Sequence, residues 1–169
     1  MNKFLKILFS VFLIFLFKTS ISYSDEVKIK IGVLAPLSGE NASLGKQILN
    51  SLRMALIDIN NDKIEIYPKD TKSDPNITLR SALELEQMGI SLVIGPVFYK
   101  NLLYLDKVKD VTFLSLTNKT LDLHKNVISS GINSSSQLNT IKKFLENNEI
   151  KKTIFLIPNS NYDLEIKKG

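Results

Sequence analysis

The chain has 169 residues, with 22 basic and 17 acidic side chains, one His and no Cys. This length predicts one domain or slightly more, and 44% hydrophobic with 23% charged residues is an ordinary globular composition. The absence of Cys excludes a disulfide scaffold, the common Cys-based zinc sites and thiol catalysis. Lys3, Lys6 and Lys18 lie in the first 24 residues, which hold no acid, so the remainder has 19 basic against 17 acidic residues and a net charge of +2. The charge therefore predicts no nucleic-acid partner.

Residues 1–24 have the pattern of a cleavable export signal. Basic residues precede an almost wholly apolar core, Ile7–Phe17, which is shorter than the about 20 residues of a membrane span. Ser22 and Ser24 place small residues at the two positions that signal peptidase reads, so Asp25 would be the first mature residue. We therefore expect export to the periplasm. An uncleaved membrane anchor is the alternative, and it would also place the remaining chain outside the cytoplasm.

The rest of the chain alternates predicted strands and helices. Apolar or alternating runs predict strands at Val27–Ala35, Ile64–Tyr67, Ser91–Ile94, Val111–Leu116, Val127–Ser129 and Thr153–Ile157. Helical spacing and capping signals predict helices over 44–60, from Asp74 and Pro75 to about Met88, over 99–107, from Ser134 or Ser135 onward, and at the C-terminal end. This alternation predicts an α/β fold in which helices cover both faces of a doubly wound, mostly parallel sheet.

Ligands of such sheets bind beyond the carboxyl ends of the strands. We call this edge the rim; its loops are Pro36–Ser43, Pro68–Ser73, Pro96–Lys100, Thr117–Leu121 and Pro158–Asp163. Uncharged hydrogen-bonding residues on these loops are the candidate ligand contacts: Ser38, Gly39, Tyr99, Thr117, Asn118 and Tyr162. Helix N-termini after the strands would add N–H groups suited to a carboxylate. For Ser38 and Asn118, capping of turns and helices is an equally good interpretation.

No catalytic or metal-binding set can be assembled from the sequence. The stretch Gly39–Lys46 places five residues between its glycines where a phosphate-binding loop has four, and Gln47 replaces the magnesium-binding Ser or Thr. His124 has no partner pattern and is expected to be a solvated loop residue. Three acids could share the rim by chance: Glu40, Asp70 and Asp122. We predict no catalytic residue, no metal and no cofactor, and hence a protein that is not an enzyme.

Four motifs in chain order carry a family resemblance: Ile31–Gly39, which reads I-G-V-L-A-P-L-S-G, then Asp74–Pro75, Leu92–Pro96 and Phe113–Asn118. In this order they resemble the type I periplasmic binding proteins, the leucine-binding-protein-like receptors, over residues 28–165. The resemblance implies two α/β lobes around a ligand cleft, without catalysis. It also implies that residues 25–133 form the first lobe and that 134–169 form only the beginning of a second, truncated lobe.

Two branches of that family differ at the rim. Amino-acid receptors carry small hydroxylic residues after the third strand and an Ala-Thr pair after the fourth, where this chain has Phe98–Asn101 and Asn118–Lys119. Tyr162 alone matches a ligand-contacting residue of that branch. The segments Gly95–Asn101 and Ser115–Asn118 are more similar to the penicillin-binding protein activators. We therefore expect an exported binding module that acts on a peptidoglycan synthase. The alternative is an ABC-transporter receptor that delivers branched-chain or other amino acids to a permease, and in either role a small-molecule ligand is expected.

Overall fold

The structure is a computed structural model that describes residues 28–157 and 163–168. The predicted export signal and Tyr162 lie outside the described residues. Five strands form one parallel sheet in the order β2-β1-β3-β4-β5, where β1 is Ile29–Ala35, β2 Ile64–Asp70, β3 Leu92–Ile94, β4 Thr112–Ser115 and β5 Val127–Ser129. The α-helices are α1 (Ala42–Ile59), α2 (Pro75–Gln87), α3 (Ser134–Asn147) and α4 (Asp163–Lys168). The predicted α/β fold with a parallel sheet is confirmed.

The helices α1 and α2 lie on opposite faces of the sheet. From β1 the chain moves outward to the edge strand β2, and then returns past β1 to β3. Because parallel crossovers are almost always right-handed, this change of direction places the two connecting helices on opposite faces. The fold is therefore doubly wound, as the strand and helix alternation predicts.

The main hydrophobic core lies between the sheet and α2. A Cβ on Gly32 of β1 would lie 2.8 Å from side-chain atoms of both Leu85 and Val93, so α2 packs directly against the strand backbone there. The connection between β3 and β4, residues 95–111, closes the rest of the core. The buried members of this cluster are Leu34, Ala82, Leu85, Ile90, Val93, Leu102, Leu105, Val108, Val111, Phe113 and Val127.

Two local signals in the sequence act as predicted. Asp74 is the N-cap of α2, and its Oδ1 accepts hydrogen bonds from the amides of Asn76 at 2.8 Å and Ile77 at 2.9 Å. Pro75 is the first residue of that helix.

Pro68 lies inside β2 opposite Val33, and this position is tolerated because β2 is an edge strand.

Two predicted elements differ from the structure. The predicted helix over 99–107 is a pair of short 3₁₀ helices, Tyr99–Leu102 and Leu105–Lys107, separated by a turn. The predicted buried strand Thr153–Ile157 is wrong, since residues 151–157 are exposed and unpaired. A strand needs a neighbour to accept its backbone hydrogen bonds, and no described strand lies beside this segment. No helix within residues 28–157 and 163–168 combines the length and hydropathy needed to cross a membrane.

Candidate functional site

The strand order puts the candidate ligand site at the rim between β1 and β3. The chain leaves β1 toward β2 and leaves β3 in the opposite direction toward β4, and ligands of open α/β sheets bind at such switch points. Gly95, which follows β3, has a φ of +100°, and a Cβ there would lie 2.1 Å from the carbonyl oxygen of Leu34. Only glycine therefore allows the end of β3 to approach the end of β1 so closely.

Asp70, the last residue of β2, binds the loop that follows β1. Its Oδ1 accepts hydrogen bonds from the amides of Leu37 at 2.8 Å, Ser38 at 3.3 Å and Lys72 at 2.9 Å. Its Oδ2 accepts a further hydrogen bond from the Ser38 hydroxyl. The amides of this loop are thus already bound to a carboxylate of the protein itself. Ser38 also donates its proton to Asp70, so toward a ligand its hydroxyl presents only acceptor lone pairs.

The same contacts determine the ionisation of Asp70. Partial burial alone would raise the pKa of this carboxyl group. Four hydrogen bonds outweigh burial and hold the pKa below the ordinary value of 3.8; the donors are the Ser38 hydroxyl and the Lys72, Leu37 and Ser38 amides. Asp70 is therefore ionised at neutral pH, and its charge is stabilised by four donors.

Hydrogen bonds to backbone carbonyls connect the loops that follow β3 and β4. The Pro96 carbonyl accepts a hydrogen bond from the Ser115 hydroxyl at 2.9 Å. The Thr117 carbonyl accepts one from the Ser129 hydroxyl at 2.7 Å, which also connects the loop after β4 to β5. The Thr117 side chain is buried, and its Oγ1 accepts the Lys119 amide at 3.2 Å. These two loops therefore form one rigid part of the rim.

A cation lies over an aromatic ring at this part of the rim. The Lys119 Nζ is 3.7 Å from the centroid of the Tyr99 ring, well within the range of a cation–π interaction. Tyr99 begins the 3₁₀ helix after β3, whereas Lys119 comes from the loop after β4. Within the part of the chain that the structure describes, no Asp or Glu forms an ion pair with Lys119. The described part of the rim thus carries a positive charge that contacts a ring and has no carboxylate partner there.

The predicted contact residues fall into two groups. Ser38 and Gly39 lie on the loop after β1, beside Asp70. Gly39 is an exposed turn residue with a φ of +78°, and its carbonyl accepts a hydrogen bond from the Ala42 amide at the start of α1. Tyr99, Thr117 and Asn118 lie on the loops after β3 and β4; Asn118 is exposed and makes an interaction of its own. Their role in ligand binding stays a prediction, as does that of Tyr162.

Sequence reasoning missed the roles of Asp70 and Lys119. Asp70 was only one of three acids on predicted rim loops, and Lys119 only part of a departure from a family pattern. The signal for Asp70 is its position at the end of β2, but that position becomes informative only when β2 is known to lie beside β1.

His124 lies away from the rim. It precedes β5, so it is at the amino edge of the parallel sheet, where it lines an open cavity with Lys109 and Asp106. Among the residues that the structure describes, no three His, Asp or Glu side chains form a group that could bind a metal ion.

Comparison with known proteins identifies relatives of this chain. The sequence model described as "Periplasmic binding protein" matches residues 28–168. An uncharacterized protein of Methanocaldococcus jannaschii is 34% identical over 87 residues, which is 47% of this chain and 21% of that protein.

Solved structures share the fold. Full-length LpoA from Haemophilus influenzae superposes with a TM-score of 0.67 at 20% identity, over 83% of this chain and 26% of LpoA. An ABC-transporter solute-binding protein from Rhodopseudomonas palustris, solved with 4-hydroxybenzoate, superposes with a TM-score of 0.62 at 16% identity, over 83% of this chain and 42% of that protein. The chain therefore spans less than half the length of these relatives.

Proposed function

The chain belongs to the periplasmic binding protein family, and from this premise we propose that it is an exported, non-catalytic binding module of the bacterial envelope that acts on a peptidoglycan synthase. In this proposal residues 1–24 are removed on export, residues 25–133 form the first lobe, and residues 134–169 begin a second lobe. The similarity to LpoA, whose C-domain is described as a regulator of PBP1A, supports this role through the shared fold.

The observation that carries the proposal is the internal use of the polar groups at the rim. Asp70 accepts the Leu37 and Ser38 amides and the Ser38 hydroxyl, and Thr117 is 3% exposed. An amino-acid receptor needs free donors for the ligand carboxylate and a free acceptor for its ammonium group. Because Asp70 and the loop after β1 already bind each other, this carboxylate is not free for the ammonium group of an amino acid, which favours a role other than amino-acid capture.

Amino-acid binding is tested by calorimetry on the mature chain with leucine, isoleucine and valine. We expect no heat of binding at ligand concentrations up to about 1 mM. A Kd in the low micromolar range, roughly −8 kcal/mol, would contradict the proposal and favour the transport receptor.

Synthase binding is tested by interferometry with the immobilised periplasmic part of the bifunctional peptidoglycan synthase of the same organism. We expect saturable binding that is competed by the free chain. A solute-binding protein of the same organism serves as the matched control and should not bind. Equal signals from the chain and this control would contradict the proposed role.

Export is tested by intact-mass measurement on periplasmic material. We expect a species that begins at Asp25. A product that retains residues 1–24 in the membrane fraction would favour the uncleaved anchor.

The second candidate function is an ABC-transporter receptor. The observation that favours it is the Tyr99–Lys119 pair, which lies at the sheet edge where ligands of such folds bind. A receptor of this kind would bind its small-molecule ligand without the synthase, and so the calorimetric and interferometric experiments separate the two roles.

A further inference from the structure

We propose that Lys119, positioned over the ring of Tyr99, is the charge-recognition group of the rim, and that the site takes a small organic carboxylate without an ammonium group. This inference rests on the proposed binding role and adds the class of ligand. It follows from three features of the rim: the position of the cation, the charge balance around it and its free hydrogen-bonding capacity.

Hydrogen bonds hold the backbone on which both members of the pair are mounted. The Lys119 amide is bound to Thr117 Oγ1, and the Thr117 carbonyl is bound to the Ser129 hydroxyl. The other partner, Tyr99, follows Pro96, whose carbonyl accepts the Ser115 hydroxyl of β4. The ring and the ammonium group therefore come from two loops that are connected at their base, which preorganises the pair for a ligand.

The charge balance at the rim favours an anion over a zwitterion. The carboxylate of Asp70 already accepts four hydrogen bonds, so it has little capacity left for a ligand ammonium group. Glu40 and Asp122, the two other acids that the sequence analysis assigns to the rim, are exposed and form no ion pair with Lys119. An amino acid would thus bring an ammonium group near an uncompensated lysine, and this repulsion disfavours its binding.

Lys119 keeps its donors for a ligand. An ammonium group has three N–H donors, and among the described residues no oxygen accepts a hydrogen bond from the Lys119 Nζ. The ring of Tyr99 covers one side of the group through its π face, and the N–H groups that point away from the ring stay available to a ligand. An ammonium group with free donors suits the negative charge of a carboxylate.

The chain contains a matched control for this pair. Lys107 Nζ lies 4.8 Å from the centroid of the Tyr104 ring, but these residues are three positions apart in one short segment and precede β4. They are therefore at the amino edge of the sheet, away from the rim. Within residues 28–157 and 163–168 a lysine thus lies over a tyrosine twice, and one of these two pairs lies at the rim.

The experiment titrates the uniformly ¹⁵N-labelled mature chain with benzoate and follows its amide resonances by NMR. Benzamide, which has the same ring without the charge, and leucine, a zwitterion, are titrated under the same conditions at low ionic strength. We expect benzoate to shift the amides of Tyr99 and Lys119 with a Kd in the millimolar range, and benzamide and leucine to bind at least about fivefold more weakly. Absence of these benzoate shifts up to about 20 mM, or equal binding of benzamide or leucine, would overturn the inference.

Three variants locate the effect. Lys119→Gln should weaken benzoate binding at least about fivefold, Lys119→Arg should keep it within about twofold because guanidinium also stacks on a ring, and Lys107→Gln should leave it unchanged. Retention of affinity in Lys119→Gln, with its spectrum otherwise native, would assign the pair a purely structural role and refute the proposal. Synthase binding is measured separately on Lys119→Gln: a loss of benzoate binding alone separates the ligand site from the proposed regulatory role.

Discussion

Asp70→Asn is the substitution that most directly tests how the rim is organised. The variant keeps the shape of the side chain and one carbonyl acceptor, but it removes the charge and places an NH₂ group beside the Ser38 hydroxyl. Hydrogen bonds to a charged group contribute about 1.5–3 kcal/mol and neutral ones about 0.5–1.5 kcal/mol. Three amide contacts weaken and the Ser38 contact changes direction. Because water reaches this partly buried group and replaces some of the loss, we expect a net destabilisation of about 2 kcal/mol.

The assay is thermal unfolding followed by circular dichroism at pH 7. For a domain of 60–100 residues, 1 kcal/mol corresponds to about 4–8 °C in Tm, so we expect Asp70→Asn to melt roughly 10 °C lower. The control is Glu40→Gln, which removes one negative charge from the loop after β1. The Glu40 side chain is exposed and forms no hydrogen bond among the described residues, so this variant should melt within about 1 °C of the parent. Equal Tm values for the two variants would refute the role given to Asp70.

The effect also has a defined pH dependence. The pKa of Asp70 is lower in the folded chain than its unfolded value of about 3.9. Its contribution is therefore fully present above about pH 5 and is lost as the pH falls through the unfolded value and then through the lowered folded pKa. The Tm difference between the parent and Asp70→Asn should be constant from pH 7 to about 5 and should shrink below pH 4. A difference that grows on acidification would contradict the assignment.

Three further predictions address the fold. Gly95→Ala should destabilise the chain by about 3 kcal/mol or more, measured by urea unfolding, because φ is +100° and the new Cβ would lie 2.1 Å from the Leu34 carbonyl oxygen; an unchanged midpoint would contradict this close approach. Asp74→Ala should cost about 1 kcal/mol through loss of the α2 cap, whereas Asp74→Asn should cost much less. Amides of Thr153–Ile157 should exchange with solvent far faster than those of Ile29–Leu34, and equal protection would show that the segment is paired.

The elements that the sequence predicts well are those with a local physical signal. Asp74 and Pro75 set the start of α2 because the cap and the fixed φ act within one turn of chain. The apolar run that begins at Ile31 predicts β1, since a strand segment covered on both faces is apolar throughout. Pro68, which the sequence analysis places in the loop after Tyr67, lies inside β2, because an edge strand tolerates a residue that cannot donate to a neighbouring strand.

The arrangement of the rim could not be predicted in the same way, because it depends on contacts between distant loops. Asp70 reaches Ser38 across 32 positions, and this contact exists only because β2 pairs with β1 in parallel register. Lys119 meets Tyr99 only because β3 and β4 are neighbours. Sequence spacing predicts that both residues lie at the rim, but the strand order decides which side chains meet there.

The failure of the Thr153–Ile157 prediction has the same cause and bears on function. The run Thr-Ile-Phe-Leu-Ile has high strand propensity, yet Leu156 is 94% exposed and α3 has no buried residue, whereas Val33 of β1 is 1% exposed. Propensity alone does not form a strand, since burial and a hydrogen-bonded neighbour provide most of its stability. The described residues after 133 therefore contribute little burial, and the sheet, its core and the rim contacts of Asp70 and Lys119 all lie between residues 28 and 130. The part of the chain that positions the candidate site is thus the part that also supplies its own core.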